Sequence, residues 1–180
     1  MARTTFQGPV RSLGGFYQQG PATTVEVTSS VTLSPDSYAG RFISVGGTLA
    51  SNVVLTLPAI NTSANPTTSG PGQDPSTANN EGVTYTIWVP TTIATSSLKI
   101  TVTSGSSDVF VGSLMSVDTD TSGAMVGFTS SSNTFINLNG TTTGGVAGSW
   151  IQIVAIASDK YMVTGVILGS STVATPFANS

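Results

Sequence analysis

The string Val117-Asp118-Thr119-Asp120-Thr121-Ser122-Gly123 is where carboxylates and hydroxyls recur at a spacing that chemistry uses. Its Asp-x-Asp-x-Ser-Gly start matches a calcium loop, in which alternate oxygens turn toward one cation. Such a loop is completed by a bidentate Glu at its twelfth position, and Thr129 stands there. A polar turn between two strands accounts for the same residues without a cation. Read as the Asp-Thr-Gly of aspartic proteases, the string fails at the glycine, which is Asp120. As a glycosidase pair, Asp118 and Asp120 alternate along a strand and would share a face at the ~5 to 10 Å such mechanisms use. No aromatic cluster surrounds them in the sequence, so no catalytic residue and no metal ligand is assigned.

Other chemistries are narrowed by what the chain lacks. Among 180 residues there is no histidine and no cysteine. The usual proton shuttle, the commonest metal ligand, thiolate nucleophiles, zinc clusters and disulfides are all removed together. A serine nucleophile would need Lys99 or Lys160 as its base. Lys99 falls on the polar side of an alternating strand and Lys160 in a turn, where solvent exposure is the natural reading. Gly144-Gly145-Val146-Ala147-Gly148 lacks the strand-to-helix setting of a phosphate loop and reads as a turn leading into Trp150. Asn61-Thr62-Ser63 and Asn139-Gly140-Thr141 match the glycosylation acceptor pattern, but the first twenty residues lack the apolar stretch of a secretory signal. The expectation is a non-enzyme without a cofactor.

Charge excludes further partners. Five basic against eight acidic residues leave a formal charge of -3, the wrong sign for a sequence-independent grip on phosphates, so nucleic acid is not an expected partner. No apolar stretch approaches the ~18 residues of a membrane helix, and no membrane association is expected. Serine and threonine supply 55 residues and charged residues only 7%, while mean hydropathy is +0.24. Charge normally keeps surfaces apart, so this surface reads as one destined for a neighbour.

The elements that would position these residues are strands. Short runs rich in β-branched and aromatic residues, bounded by Gly, Pro, Asn and Ser, recur along the chain, and no helical stripe does. The clearest alternations cover residues 24–28, 54–57, 84–89 and 98–103, each with apolar side chains on one face and hydroxyls on the other. Further strands are expected at 41–45, 108–111, 114–117, 124–128, 134–138, 150–157 and 161–168. The last two, joined by Ser158-Asp159-Lys160, should form an antiparallel hairpin at the centre of the core, with Ile153 and Ile156 both essential to it. The predicted fold is all-β, an antiparallel two-sheet sandwich or jelly-roll-like body of about ten strands.

Two segments flank this body, which spans 23–168, and a third interrupts it. Within it, residues 58–82 carry Pro66, Pro71 and Pro75 among small polar residues and read as a long exposed loop or insertion. Residues 169–180 read as a C-terminal tail. Residues 1–22 are broken by Gly8-Pro9, Gly14-Gly15 and Gly20-Pro21 yet carry apolar anchors, which suggests an extended N-terminal arm that orders on a neighbour. Its binding residues would be Arg3, Phe6, Val10, Arg11, Leu13, Phe16 and Tyr17. The two arginines meet no acid before Glu26, whereas the remainder has three basic and eight acidic residues, so the arm would be drawn to acidic surface.

Several strings resemble one family. Val10-Arg11-Ser12-Leu13-Gly14-Gly15-Phe16-Tyr17, Ala39-Gly40-Arg41, Thr56-Leu57-Pro58-Ala59, Asn137-Leu138-Asn139-Gly140-Thr141-Thr142-Thr143-Gly144-Gly145, Trp150-Ile151 and Ala174-Thr175-Pro176-Phe177 resemble the head decoration, or cement, proteins of tailed phages. The resemblance is strongest to those of short-tailed phages of cyanobacteria and marine bacteria. It runs over nearly the whole chain, and its motifs are turns and strand ends. It implies a structural virion protein on the outer surface of the capsid, a homotrimer that clamps neighbouring subunits of the major capsid protein against the pressure of packaged DNA. The alternative class is a receptor- or glycan-binding module of a head fibre or tail fibre, with the 58–82 loop presenting the binding surface. A fibre would usually show a repeat or shaft, and none is seen in the sequence.

Overall fold

The alternating runs fold as twelve strands and one short helix in the computed structural model, which describes residues 23–46, 49, 51–62, 79–120 and 123–179. The strands are β1 (Thr24–Glu26), β2 (Val31–Thr32), β3 (Phe42–Ser44), β4 (Val53–Thr56), β5 (Thr84–Trp88), β6 (Leu98–Thr101), β7 (Val109–Asp118), β8 (Met125–Asn133), β9 (Phe135–Leu138), β10 (Trp150–Ala157), β11 (Lys160–Gly169) and β12 (Phe177–Ala178). The helix α1 (Pro35–Tyr38) is a single turn opened by a proline that needs no donor at that position. The fold is all-β, with a seven-stranded sheet ordered β1-β3-β5-β10-β11-β7-β8 and a five-stranded sheet ordered β12-β9-β6-β4-β2.

Both sheets are mixed where an antiparallel arrangement was expected. The first six strands alternate between the sheets, and within each sheet the successive strands pair in parallel: β1 with β3 and β3 with β5, β2 with β4 and β4 with β6. A parallel pair needs a long crossover, and a strand of the opposite sheet serves as that crossover here. The chain thus winds around the core before it turns to hairpins. From β7 onward, β7–β8 and β10–β11 are antiparallel neighbours, and β11 also runs parallel to β7 over its whole length.

Packing follows the alternation. Ile43, Tyr85, Ile87, Ile151, Ile153, Tyr161, Val163 and Leu114 from the larger sheet meet Leu55, Leu98, Ile100, Ile136 and Leu138 from the smaller one in a single buried cluster. The rings of Phe110 and Tyr161 lie 6.3 Å apart, tilted by 43°, an arrangement that aromatic quadrupoles favour. The Tyr161 hydroxyl donates to the Pro58 carbonyl at 2.6 Å.

Four sequence expectations are adjusted. The hairpin of β10 and β11 forms, with Asp159 at φ 64° in its turn, but Ile156 is 41% exposed while Ile153 is fully buried. Positions three apart on a strand point to opposite faces, so only one of the two can reach the core. The expected break at Gly112-Ser113 does not occur, and 108–111 and 114–117 merge into β7. Gly112 sits at φ 129°, where a Cβ would run into the Val163 carbonyl, and a register shift between Phe110 and Gly112 absorbs the irregularity. The two-residue strands β2 and β12 were not anticipated. The C-terminal segment holds β12 against β9, and the Ala174 N–H donates to the Thr142 carbonyl at 2.8 Å.

The base of the long loop is closed. The Asn80 N–H donates to the Asn61 carbonyl at 3.1 Å, and the Asn61 N–H to Asn80 Oδ1 at 2.8 Å. Asn80 Nδ2 donates to the Ala59 carbonyl, and Asn79 Nδ2 to the Thr62 carbonyl. Residues 63–78, which make up most of the expected insertion, lie outside the described residues.

Candidate functional site

The outer face of the seven-stranded sheet gathers most of the large apolar side chains that remain exposed. Strand register sets them in rows. Glu26, Ser44, Trp88, Trp150, Val166 and Met115 stand side by side across β1, β3, β5, β10, β11 and β7. Next to them run Thr24, Phe42, Thr86, Gln152, Thr164 and Ser113 on the same strands. Met162 lies beside Val111 in a third row, and Met125 beside Val117 at the β8 edge. The charged side chains that the described strands place on this face are Glu26 and Lys160, both at its margins.

Two halves can be distinguished. On β7, β8 and β11 the exposed apolar residues are Met115, Met125 and Met162, unbranched side chains that adapt to irregular partners. On β3, β5 and β10 they are Phe42, Trp88, Trp150 and Ile156, about half exposed or somewhat less. These three aromatics, with Thr24 and Thr86, line an open pocket of about 430 Å³.

Trp88 and Trp150 are direct cross-strand partners in the antiparallel β5–β10 pair. Their strand neighbours Ile87 and Ile151, with Tyr85 and Ile153 two residues further along, point inward. The two indoles therefore occupy positions where the alternation calls for a polar side chain. That misplacement is visible in the sequence, where Trp88 shares a parity with Thr84 and Thr86, and it was not singled out. What the sequence does not carry is the pairing of the two tryptophans.

The carboxylates of the 117–123 string serve as turn acceptors. The Asp120 N–H donates to Asp118 Oδ1 at 3.0 Å, and the Ser171 N–H to Asp120 Oδ2 at 2.7 Å. Asp118 is buried and Asp120 exposed, so they do not form a pair facing one space. Thr121 and Ser122 lie outside the described residues. Lys99 Nζ sits 4.0 Å from the centre of the Phe135 ring, a cation–π contact on the strand surface. Lys160 is exposed at the hairpin turn.

Two phenols are the perturbed groups. Burial pushes the Tyr85 hydroxyl far above its ordinary range, with a smaller push from Asp36. Tyr161 is raised further, by burial first and then by Tyr85 and Asp108. The Tyr85 hydroxyl meets no hydrogen-bond partner among the described residues. Both face the packed core, so their shifts belong to folding and not to a reactive cleft.

The arm residues Arg3, Phe6, Val10, Arg11, Leu13, Phe16 and Tyr17 lie outside the described residues. The string from Asn137 to Gly145 is the end of β9 and a built turn: Asn139 Oδ1 accepts from the N–H groups of Thr141 and Thr143 at 2.9 and 3.0 Å, and Asn139 Nδ2 donates to Thr142 Oγ1 at 3.0 Å. Comparison with protein-family models, with curated proteins and with solved structures gave no match to this chain.

Proposed function

We propose that this chain is a structural protein of a phage virion, a head decoration protein that binds the outer surface of the capsid and clamps neighbouring major capsid subunits. The observation that carries the reading is the outer face of the larger sheet, broad, apolar and hydroxyl-rich, with charge only at its margins. Seven strands of three to ten residues, at ~3.3 Å per residue and ~4.8 Å spacing, make a face of very roughly 800 Å², one side of a standard protein interface. Such a face is suited to being covered by protein.

Composition supports the same reading. A clamp needs a rigid body and several contact surfaces, and it needs no reactive group. The methionine half of the face is the proposed self-association surface, and the arm of residues 1–22 is the proposed capsid contact. A homotrimer would then engage several capsid subunits at once, so that weak contacts add through high effective concentration.

The decisive experiment is the copy number of this chain relative to the major capsid protein in purified virions, by quantitative mass spectrometry with labelled peptides. Near-stoichiometric copies are expected. A handful of copies per particle would place the chain in a fibre or vertex and overturn the decoration reading.

A further inference from the structure

We propose that the pocket formed by Phe42, Trp88 and Trp150 binds a neutral saccharide. The inference concerns a different part of the sheet from the methionine half, and it holds whether or not the protein decorates heads.

The argument begins with the two indoles. A flat sheet that places direct cross-strand partners on one side brings their Cβ atoms within ~5 Å. Two exposed indoles on neighbouring strands line one pocket with Phe42 and offer it aromatic faces against which a sugar ring can lie. A pyranose has an apolar side, where its C–H bonds point along one face, and a rim of hydroxyls. The C–H bonds are weakly positive and the face of an indole is negative, so the two surfaces are complementary.

The polar lining fits the rim. The side chains of Thr24 and Thr86, on the walls of the pocket, and of Gln152, the strand neighbour of Thr86, make no hydrogen bond among the described residues. Each hydroxyl can both donate and accept, and the amide has donors at one end and an acceptor at the other. Sugar hydroxyls need that mixture. Binding sites for small ligands combine an apolar floor with a few such groups that set orientation.

Charge selects among ligands. Glu26, one strand beyond Ser44, is the nearest charged position in the row of the tryptophans. None of the lining residues is a cation, and Arg41, just before Phe42, lies outside β3, so an acidic sugar or a phosphate seated on the aromatics would lose hydration without a counter-charge from the lining. A quaternary ammonium ligand prefers aromatic walls that surround it, whereas neighbouring strands of one sheet offer a floor. A neutral sugar remains the ligand whose chemistry the pocket matches.

The test titrates the full chain with maltohexaose, cellohexaose and chitohexaose, and separately with choline, following tryptophan fluorescence and isothermal calorimetry. Saturable binding of at least one hexasaccharide is expected, with no response to choline. Trp88→Ala and Trp150→Ala should each weaken that binding by about tenfold or more, with Trp88→Phe retaining most of it. Both side chains are more than half buried, so the alanine variants should melt below the parent yet stay folded at the titration temperature, which circular dichroism checks. Binding of choline in place of sugars, binding unaffected by either alanine variant, or no response to any of the three sugars from a protein with a normal melt would each overturn the proposal.

Discussion

Asn80 and Asn61 hold each other at the base of the long loop, the backbone N–H of each donating to an oxygen of the other, at 3.1 and 2.8 Å. Asn80 is buried while its neighbours Asn79 and Glu81 face solvent. The β-sandwich is therefore complete where residues 63–78 begin and end. Replacing them with Gly-Gly should not lower the melting temperature, because each halving of the loop reduces its closure cost by about 0.6 kcal/mol. Asn80→Ala, by contrast, strips the partners of the Asn61 N–H and the Ala59 carbonyl and should cost about 1–3 kcal/mol. Thermal denaturation of both variants checks the contrast.

Ile153 and Ile156 belong to one strand and opposite environments. Ile153→Asp would bury a carboxylate without a counter-charge, at a cost on the order of 5 kcal/mol. That is comparable to the whole stability of an ordinary domain, so insoluble or unfolded protein is expected. Ile156→Asp should shift stability by no more than about 0.5 kcal/mol. Equal damage from both, seen in circular dichroism melts of purified protein, would contradict the register of β10.

How much of this was legible follows from the range of each interaction. Strands β5, β6 and β10 were visible because their alternation is local: Tyr85-Thr86-Ile87 and Leu98-Lys99-Ile100 state their own burial. The two-residue strands β2 and β12 have no period to detect, and their pairing is conferred by β4 and β9. Gly112 was misread as a break because a glycine in a strand signals either an end or a close approach, and only the Val163 carbonyl on β11 decides which. The parallel winding was illegible for the same reason, since strand order depends on contacts between distant segments. For the pocket, the outward parity of Trp88 and Trp150 was readable from each strand alone. Their partnership, across 62 residues, was not.

Alkaline pH should unfold the protein through its buried phenols. Tyr85 and Tyr161 have folded-state values raised above the ordinary value of 10.0. A group raised in this way contributes stability that is fully present below the unfolded value and is lost as pH rises past it. Stability should therefore decline from about pH 10 upward. With no histidine or cysteine in the chain, the side chains that usually titrate near neutrality are missing. Urea unfolding across the alkaline range checks the slope. Tyr85→Phe should reduce it, and should be tolerated because the Tyr85 hydroxyl has no partner among the described residues to lose.

Self-association should depend on the methionine half of the sheet. Met115→Glu and Met162→Glu place carboxylates on β7 and β11 at positions already about 40% exposed, so the monomer fold should survive. If copies meet here, burying each new charge is costly and the variants should dissociate. Analytical ultracentrifugation is expected to show an oligomer for the parent and a monomer for the double variant. An unchanged oligomer would move the contact to another surface.

Attachment to the capsid should reside in the arm. Residues 1–22 carry two of the five basic side chains and no acidic one, together with Phe6, Phe16 and Tyr17. Such a segment suits a neighbour with acidic and apolar surface, where a few aromatic anchors dominate the binding energy. Deleting residues 1–20 leaves β1 intact, because β1 begins at Thr24 and pairs with β3 through Thr24, Val25 and Glu26. The shortened protein should keep its circular dichroism spectrum and melt while losing its binding to purified heads in a sedimentation assay. Arg3→Ala with Arg11→Ala should weaken binding most at low ionic strength, where unscreened charge contributes most. Undiminished binding of the shortened chain would assign the capsid contact to the body of the sandwich, and the outer sheet face would be the place to look for it.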